Sequence, residues 1–328
     1  MNHSHQLPRA LQIDRRRVLQ LSLGAAAAAC AATPGAAQPG GQPEASPTRQ
    51  AVRGRIRQSI VNWCFAKHWN LEQTAAIAAG LGCQSVELVS PSEWQVLKKY
   101  GLVCALAGSH SFVQGMNHVK YHEGCIERMR RSIDACADAG FPAVITFTGF
   151  AQDTGPWNGG NAPAIDPAQA AQSIDPDEGL RNCVAGYKKV VGYAEAKGVN
   201  ISLEMLNSRV NETMKGHPGY QGDHLDYCLE IAKQVGSPRF GLLFDIYHVQ
   251  IMDGDVIRRL RQCGELVNHV HTAGNPGRGE LDDQQEINYP PIMRALTEMG
   301  YQGFVGQEFI PTRDPLEGLS QAVRLCDV

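Results

Sequence analysis

The chain has no excess of basic charge; its formal net charge is -3. A protein that grips a phosphodiester backbone needs clustered lysine and arginine, and no such cluster stands out, so nucleic acid is not an expected partner. The ten cysteines include no CxxC pair, which removes zinc knuckles and thioredoxin-type redox motifs. No glycine-rich turn follows the first apolar segment, and no serine elbow, phosphate loop or HExxH occurs. Dinucleotide binding, acyl transfer, nucleotide hydrolysis and metalloprotease chemistry lose their signatures with them. Long hydrophobic runs are also missing, since the apolar stretch Leu21 to Ala32 is too short to span a bilayer comfortably as a permanent helix.

The N-terminus differs in kind from the rest. Asp14-Arg15-Arg16-Arg17-Val18-Leu19-Gln20 precedes that apolar stretch, and Thr33-Pro34-Gly35-Ala36-Ala37 follows it. This is the basic, apolar, small-residue order of an export signal, and the arginine pair resembles a twin-arginine signal with Asp14 where Ser or Thr is usual. The expectation is a signal over 1–37, a disordered Pro/Gly/Gln/Ser linker over 38–55, a catalytic domain over 56–328 and a periplasmic or otherwise exported protein with no membrane span in its mature form. Twin-arginine export carries folded chains, so a metal can be loaded and thiols buried beforehand, and the cysteines need not pair.

From residue 56 onward, short apolar segments alternate with longer amphipathic ones. Strands are predicted at 56–63, 84–89, 102–107, 143–148, 199–205, 239–246, 265–271 and 303–309, with helices between them. Eight strand-helix units in about 270 residues match a single (β/α)8 TIM barrel. The long polar stretch 149–176, with Trp157-Asn158-Gly159-Gly160, reads as a lid or binding loop after the fourth strand.

The later strands end on a pattern. Ile201-Ser202-Leu203 delivers Glu204, Leu242-Leu243-Phe244 delivers Asp245, Asn268-His269-Val270 delivers His271, and Val305-Gly306-Gln307 delivers Glu308. In a parallel barrel such tips converge at one mouth. Three carboxylates and one imidazole suit Mg2+ or Mn2+, with Zn2+ or Co2+ also accommodated; the bland alternative is that each tip caps the next helix. His248, three residues past Asp245, and Arg278, in Asn275-Pro276-Gly277-Arg278, are candidate substrate contacts, as are His110 and Trp63. Trp63, Phe65, His68 and Trp69 form either a pocket wall or a cap over the barrel. Glu87, deeper in the second strand, is a supporting group or the partner of a buried cation.

Two glutamates beside one ion point to a chemistry. A divalent ion acidifies the C–H next to a chelated hydroxycarbonyl, and one carboxylate can remove that proton while the other returns it. Glu204 and Glu308 are the expected pair, facing each other across the barrel.

The runs Leu203-Glu204-Met205-Leu206-Asn207-Ser208, Phe244-Asp245-Ile246-Tyr247-His248-Val249-Gln250, Asn275-Pro276-Gly277-Arg278 and Glu286-Ile287-Asn288-Tyr289 together resemble the hydroxypyruvate isomerases. These lie within the xylose isomerase-like TIM barrel superfamily, which also holds the ketose 3-epimerases. The resemblance implies that Glu204 and Glu308 exchange protons and ligate a metal with Asp245 and a fourth residue, while His248 and Arg278 contact substrate. Glutamine is usual in those isomerases where this chain has His271, which is similar to the epimerases, and they are cytoplasmic. The expected partner is therefore a small hydroxycarbonyl compound or a sugar, acted on by an isomerase or a 3-epimerase, with a metal-dependent endonuclease-type hydrolase and a non-catalytic sugar-binding protein as the other readings. Barrels of this kind often pair, so a homodimer or larger homo-oligomer is expected.

Overall fold

The computed structural model describes residues 53–155 and 173–328. The export signal, most of the linker and the Trp157-to-Gly160 segment of the long loop lie outside the described residues. Seven parallel strands form one curled sheet: β1 (Arg57–Val61), β2 (Ser85–Glu87), β3 (Ala143–Thr146), β4 (Asn200–Glu204), β5 (Phe240–Asp245), β6 (Val267–Thr272) and β7 (Phe304–Gln307). Their order is β2-β1-β7-β6-β5-β4-β3.

The expected strand at 102–107 is not a regular strand, so the regular sheet has seven members instead of eight. The segment still stands between the sheet's two edges. On one side Val103 exchanges backbone hydrogen bonds with Gln84 and Val86; on the other Ala107 exchanges them with Ala143 and Ile145. The ladder is interrupted because Ser85 Oγ accepts the Ala105 amide at 2.9 Å, drawing the backbone off the neighbouring strand. The two edges are thus joined through an irregular eighth stave, and the fold is TIM-barrel-like.

Helices cover the outer face, and their starts follow local chemistry. Asn70 and Gln73 form a capping box ahead of helix Leu71–Gly80. Asp314 accepts the amides of Leu316 and Glu317 ahead of helix Pro315–Cys326. Between β3 and β4 stand two helices, Pro176–Lys188 and Val191–Lys197, and a short helix Ile246–Met252 starts directly after β5. Apolar residues of strands and helices pack between the layers, and all nine cysteines among the described residues are buried and unpaired, small fillers of that core. Residues 53–55, at the end of the expected linker, bond to Asp327 and Val328. No helix among the described residues is long and apolar enough to cross a membrane.

Ser85→Ala leaves the buried Ala105 amide without its acceptor. It should lower the unfolding free energy by about 1–3 kcal/mol in a denaturant titration, with the slope unchanged; an unaltered midpoint would refute the role given to this hydroxyl.

Candidate metal centre

The four adjacent strands β4, β5, β6 and β7 carry Glu204, Asp245 and His271 at or near their C-terminal ends, with Glu308 one residue beyond the last. Ligand-type atoms of these four buried side chains all lie within 4.8 Å of one another. Glu204 and Glu308 stand at the two ends of one arc of sheet, separated by β5 and β6.

Asp245 divides its two oxygens. Oδ1 accepts the amides of Tyr247 and His248 at 2.8 and 3.1 Å and so caps helix Ile246–Met252. Oδ2 turns toward the centre, 3.6 Å from His248 Nε2 and 3.8 Å from Arg278 Nη2. The capping role and the ligand-type placement therefore coexist on one carboxylate.

Glu308 is held from two sides. Trp63 Nε1 donates to Oε1 at 3.2 Å, and Arg278 Nη2 donates to Oε2 at 2.6 Å. The buried guanidinium also lies over the rings of Trp63 and Tyr247, 5.3 and 5.6 Å from their centroids. The turn that delivers it closes with a backbone bond from Gly274 to Gly279, and Glu286 pins the turn by accepting from Asn275 Nδ2 and Gln250 Nε2. Glu280 in turn holds the segment after Glu308 through the amide and hydroxyl of Thr312.

His271 looks two ways. Its Nδ1 lies 2.9 Å from Glu308 Oε2 and 3.6 Å from Glu204 Oε1, and its Nε2 is 3.1 Å from Glu87 Oε2. The contacts of Nδ1 are close, but their angles make no hydrogen bond: Nδ1 and Glu204 Oε1 are buried atoms without hydrogen-bond partners. Unsatisfied polar atoms facing one point are what a bound cation resolves.

The electrostatics agree. Three carboxylates and one guanidinium leave two negative charges in excess if His271 is neutral. Burial, then Glu308, pushes Asp245 up to about 7. Burial, together with Glu308, also raises Glu204, against the pull of His271. Burial opposes the charge on His271, but Glu308, Glu204 and Glu87 outweigh it and raise its proton affinity. Burial opposes the charge on Glu308 as well, yet Arg278 and His271 hold it well below the usual carboxylate range. Without an ion the centre gathers protons, and a divalent cation supplies the same charge. The donor set fits such an ion, with Glu204, Asp245, His271 and Glu308 as the residues that could hold it.

His248 lines the centre as a neutral donor. Its Nδ1 accepts from the Asn207 amide at 3.0 Å, which leaves the ring proton on Nε2, buried and without a hydrogen-bond partner. Burial, reinforced by Arg278, keeps the ring uncharged. His110 differs from expectation. Its nitrogens are engaged by Ser111 O at 3.0 Å and Thr146 Oγ1 at 2.7 Å, which leaves neither free for substrate as placed. Of the first-strand aromatics, Trp63 reaches Glu308, Phe65 stacks on Trp69 and meets Phe309 edge-on, and His68 is exposed.

Two histidines near the centre escaped the sequence reading. His217 is buried against Phe112, 6.0 Å from the His248 ring, and burial with the charge of Arg278 lowers it to about 3. It lies in an irregular loop and carries no spacing signal. His269 shares an inward face with His271 two residues later, and that alternation was the available clue.

A family model described as the xylose isomerase-like TIM barrel matches residues 75–327. The chain belongs to this family. The 2-oxo-tetronate isomerase of Cupriavidus necator is 33% identical over 150 residues, 44% of this chain and 55% of that protein. The hydroxypyruvate isomerase of Escherichia coli is 29% identical over 151 residues, 42% and 58% of the two chains. The chain spans about half the length of the curated relatives it matches. Among solved structures, an AP endonuclease of family 2 from Brucella melitensis superposes with a TM-score of 0.64 at 20% identity, covering 81% of this chain and 98% of that one, a likeness of fold.

An ion bound at this centre would displace the protons that it gathers. Asp245, raised to about 7, is protonated in the folded chain and ionised in the unfolded one between roughly pH 4 and 7, so by itself it makes the ion-free protein less stable as pH rises through that window. The thermal stabilisation conferred by Mn2+ should therefore be larger at pH 7.5 than at pH 5, read as the shift in Tm at fixed ion concentration. An equal or larger shift at pH 5 contradicts this account.

Proposed function

We propose that the protein is a divalent-metal-dependent isomerase of a small hydroxycarbonyl compound, of the hydroxypyruvate and tartronate semialdehyde type. The observation that carries the proposal is the meeting of Glu204 and Glu308 on either side of His271 Nδ1 within one buried set of ligand-type atoms. A divalent ion there, Mg2+ or Mn2+ by donor type, would polarise adjacent carbonyl and hydroxyl oxygens and acidify the C–H between them.

The chain's own groups do the rest. One glutamate takes the proton from the carbon bearing the hydroxyl, and the neighbouring carbonyl carbon receives a proton from the other, while the hydroxyl proton moves between the two oxygens. Carbonyl and alcohol exchange places with no net gain or loss of atoms or electrons. The environments suit the exchange, since burial raises Glu204 and Arg278 keeps Glu308 ionised. The Nε2–H of His248 is the free donor for a substrate oxygen, and Arg278 fixes Glu308 while adding positive charge for an acidic substrate.

His271 supports a second reading, a sugar 3-epimerase on the same machinery, in which the proton returns to the carbon it left. The composition of residues 14–37 supports action outside the cytoplasm, after export.

Small ketoses, aldoses and hydroxy-oxo acids incubated with the Mg2+ enzyme in D2O separate these readings. Deuterium on the carbon adjacent to the original C–H marks isomerisation, and deuterium at the original carbon marks epimerisation. Glu204→Gln and Glu308→Gln should each lower kcat by at least about 100-fold. An ion-loaded enzyme that puts deuterium into no compound of the panel sinks both readings.

A further inference from the structure

Beneath the four-residue centre, inside the barrel, lies a second buried cluster of Glu87 from β2 with His269 and His271 from β6. Glu87 Oε2 accepts from His271 Nε2 at 3.1 Å, and His269 Nε2 lies 2.7 Å from the same oxygen. The two imidazoles are perpendicular, with centroids 5.0 Å apart. None of the three side chains is more than 2% exposed.

Room for this arrangement comes from β7. A Cβ on Gly306 would sit 2.4 Å from Glu87 Oε1 and 2.9 Å from His271 Cδ2, so the strand passes close only because it has glycine at that register.

The interiors of such barrels are usually filled by branched apolar side chains, and a buried carboxylate is costly unless it is paired. Stability alone is a poor account of why one is here. The geometry of His271 supplies a better one. An imidazole can offer a lone pair to an ion from Nδ1 only if its proton is on Nε2. The acceptor that receives that proton is Glu87.

We infer that Glu87, steadied by His269, is a positioning residue that sets the tautomer and ring orientation of His271 and so tightens the ion at the centre above. The inference rests on the reading that an ion sits among Glu204, Asp245, His271 and Glu308. It deepens that reading by assigning a role to a carboxylate that touches neither ion nor substrate. Glu87 acts through the imidazole as its acceptor.

The test is ion affinity, measured by calorimetric titration with Mn2+ and by the visible spectrum of the Co2+ form. Glu87→Gln should bind Mn2+ on the order of 10- to 100-fold more weakly than the parent and shift the Co2+ bands. In a His271→Gln background the same substitution should change affinity no further, because its route to the ion is gone. Parent-like affinity in E87Q overturns the inference, as does equal weakening in both backgrounds, which marks a role in the fold alone. Two Mn2+ per parent chain, one lost in E87Q, overturns it too, since Glu87 is then a ligand. A parent that binds no Mn2+ refutes the proposed function itself and this inference with it, whereas a parent that binds and an E87Q variant that binds equally well refute only the inference. Should E87Q not fold by circular dichroism, His269→Asn keeps the question decidable: weaker binding is expected, and unchanged binding overturns the role.

Discussion

Three carboxylates and a guanidinium share one buried space at the mouth of this barrel, and the surrounding structure is arranged around the cost of putting them there. Removing a charge from water is tolerable only where opposite charge or hydrogen bonds replace the solvent. Arg278 does this for Glu308, helped by the indole N–H of Trp63, while the amides at the start of the following helix do it for one oxygen of Asp245. The oxygen of Glu204 and the nitrogen of His271 that face inward make no hydrogen bond. That residue of unsatisfied polarity is what the proposed cation would resolve.

Loops far apart in the chain are recruited to keep the geometry stiff. Glu286 ties the turn that presents Arg278, Glu280 ties the segment after Glu308, and Asn207 turns the His248 ring so that its free N–H looks inward. None of these three groups need touch a substrate. Their effect is to remove alternative positions for the groups that would, which is how binding and proton transfer gain from a rigid scaffold. The family to which the chain belongs frames this arrangement without deciding its substrate, because related barrels share the scaffold while the loops differ.

Much of the fold and centre was legible in the chain. Seven of the eight expected strands formed, because each is a short apolar run bounded by turn residues, and the four tip residues met because parallel neighbours in register bring their ends together. The stretch 102–107 read as a strand on composition, but composition says nothing of a serine on the next strand capturing one of its amides. His110 read as a pocket residue from its place after a strand, yet Thr146 and the Ser111 carbonyl engage its ring. Glu87 was visible as a buried carboxylate with an unknown partner. That the partners are two histidines 182 and 184 residues away follows from sheet closure (269 − 87 and 271 − 87).

By itself the sequence determined the alternation of strands and helices, the identity of the side chains at four strand ends and the absence of rival catalytic motifs, since these depend on local pattern and residue type. Tertiary structure alone decided which nitrogen of His271 faces Glu204 and Glu308 and which faces Glu87, that Asp245 serves a helix with one oxygen and the centre with the other, and that Gly306 makes space for Glu87. Those are matters of a few ångströms and of burial among groups distant along the chain, and local pattern holds no information on either.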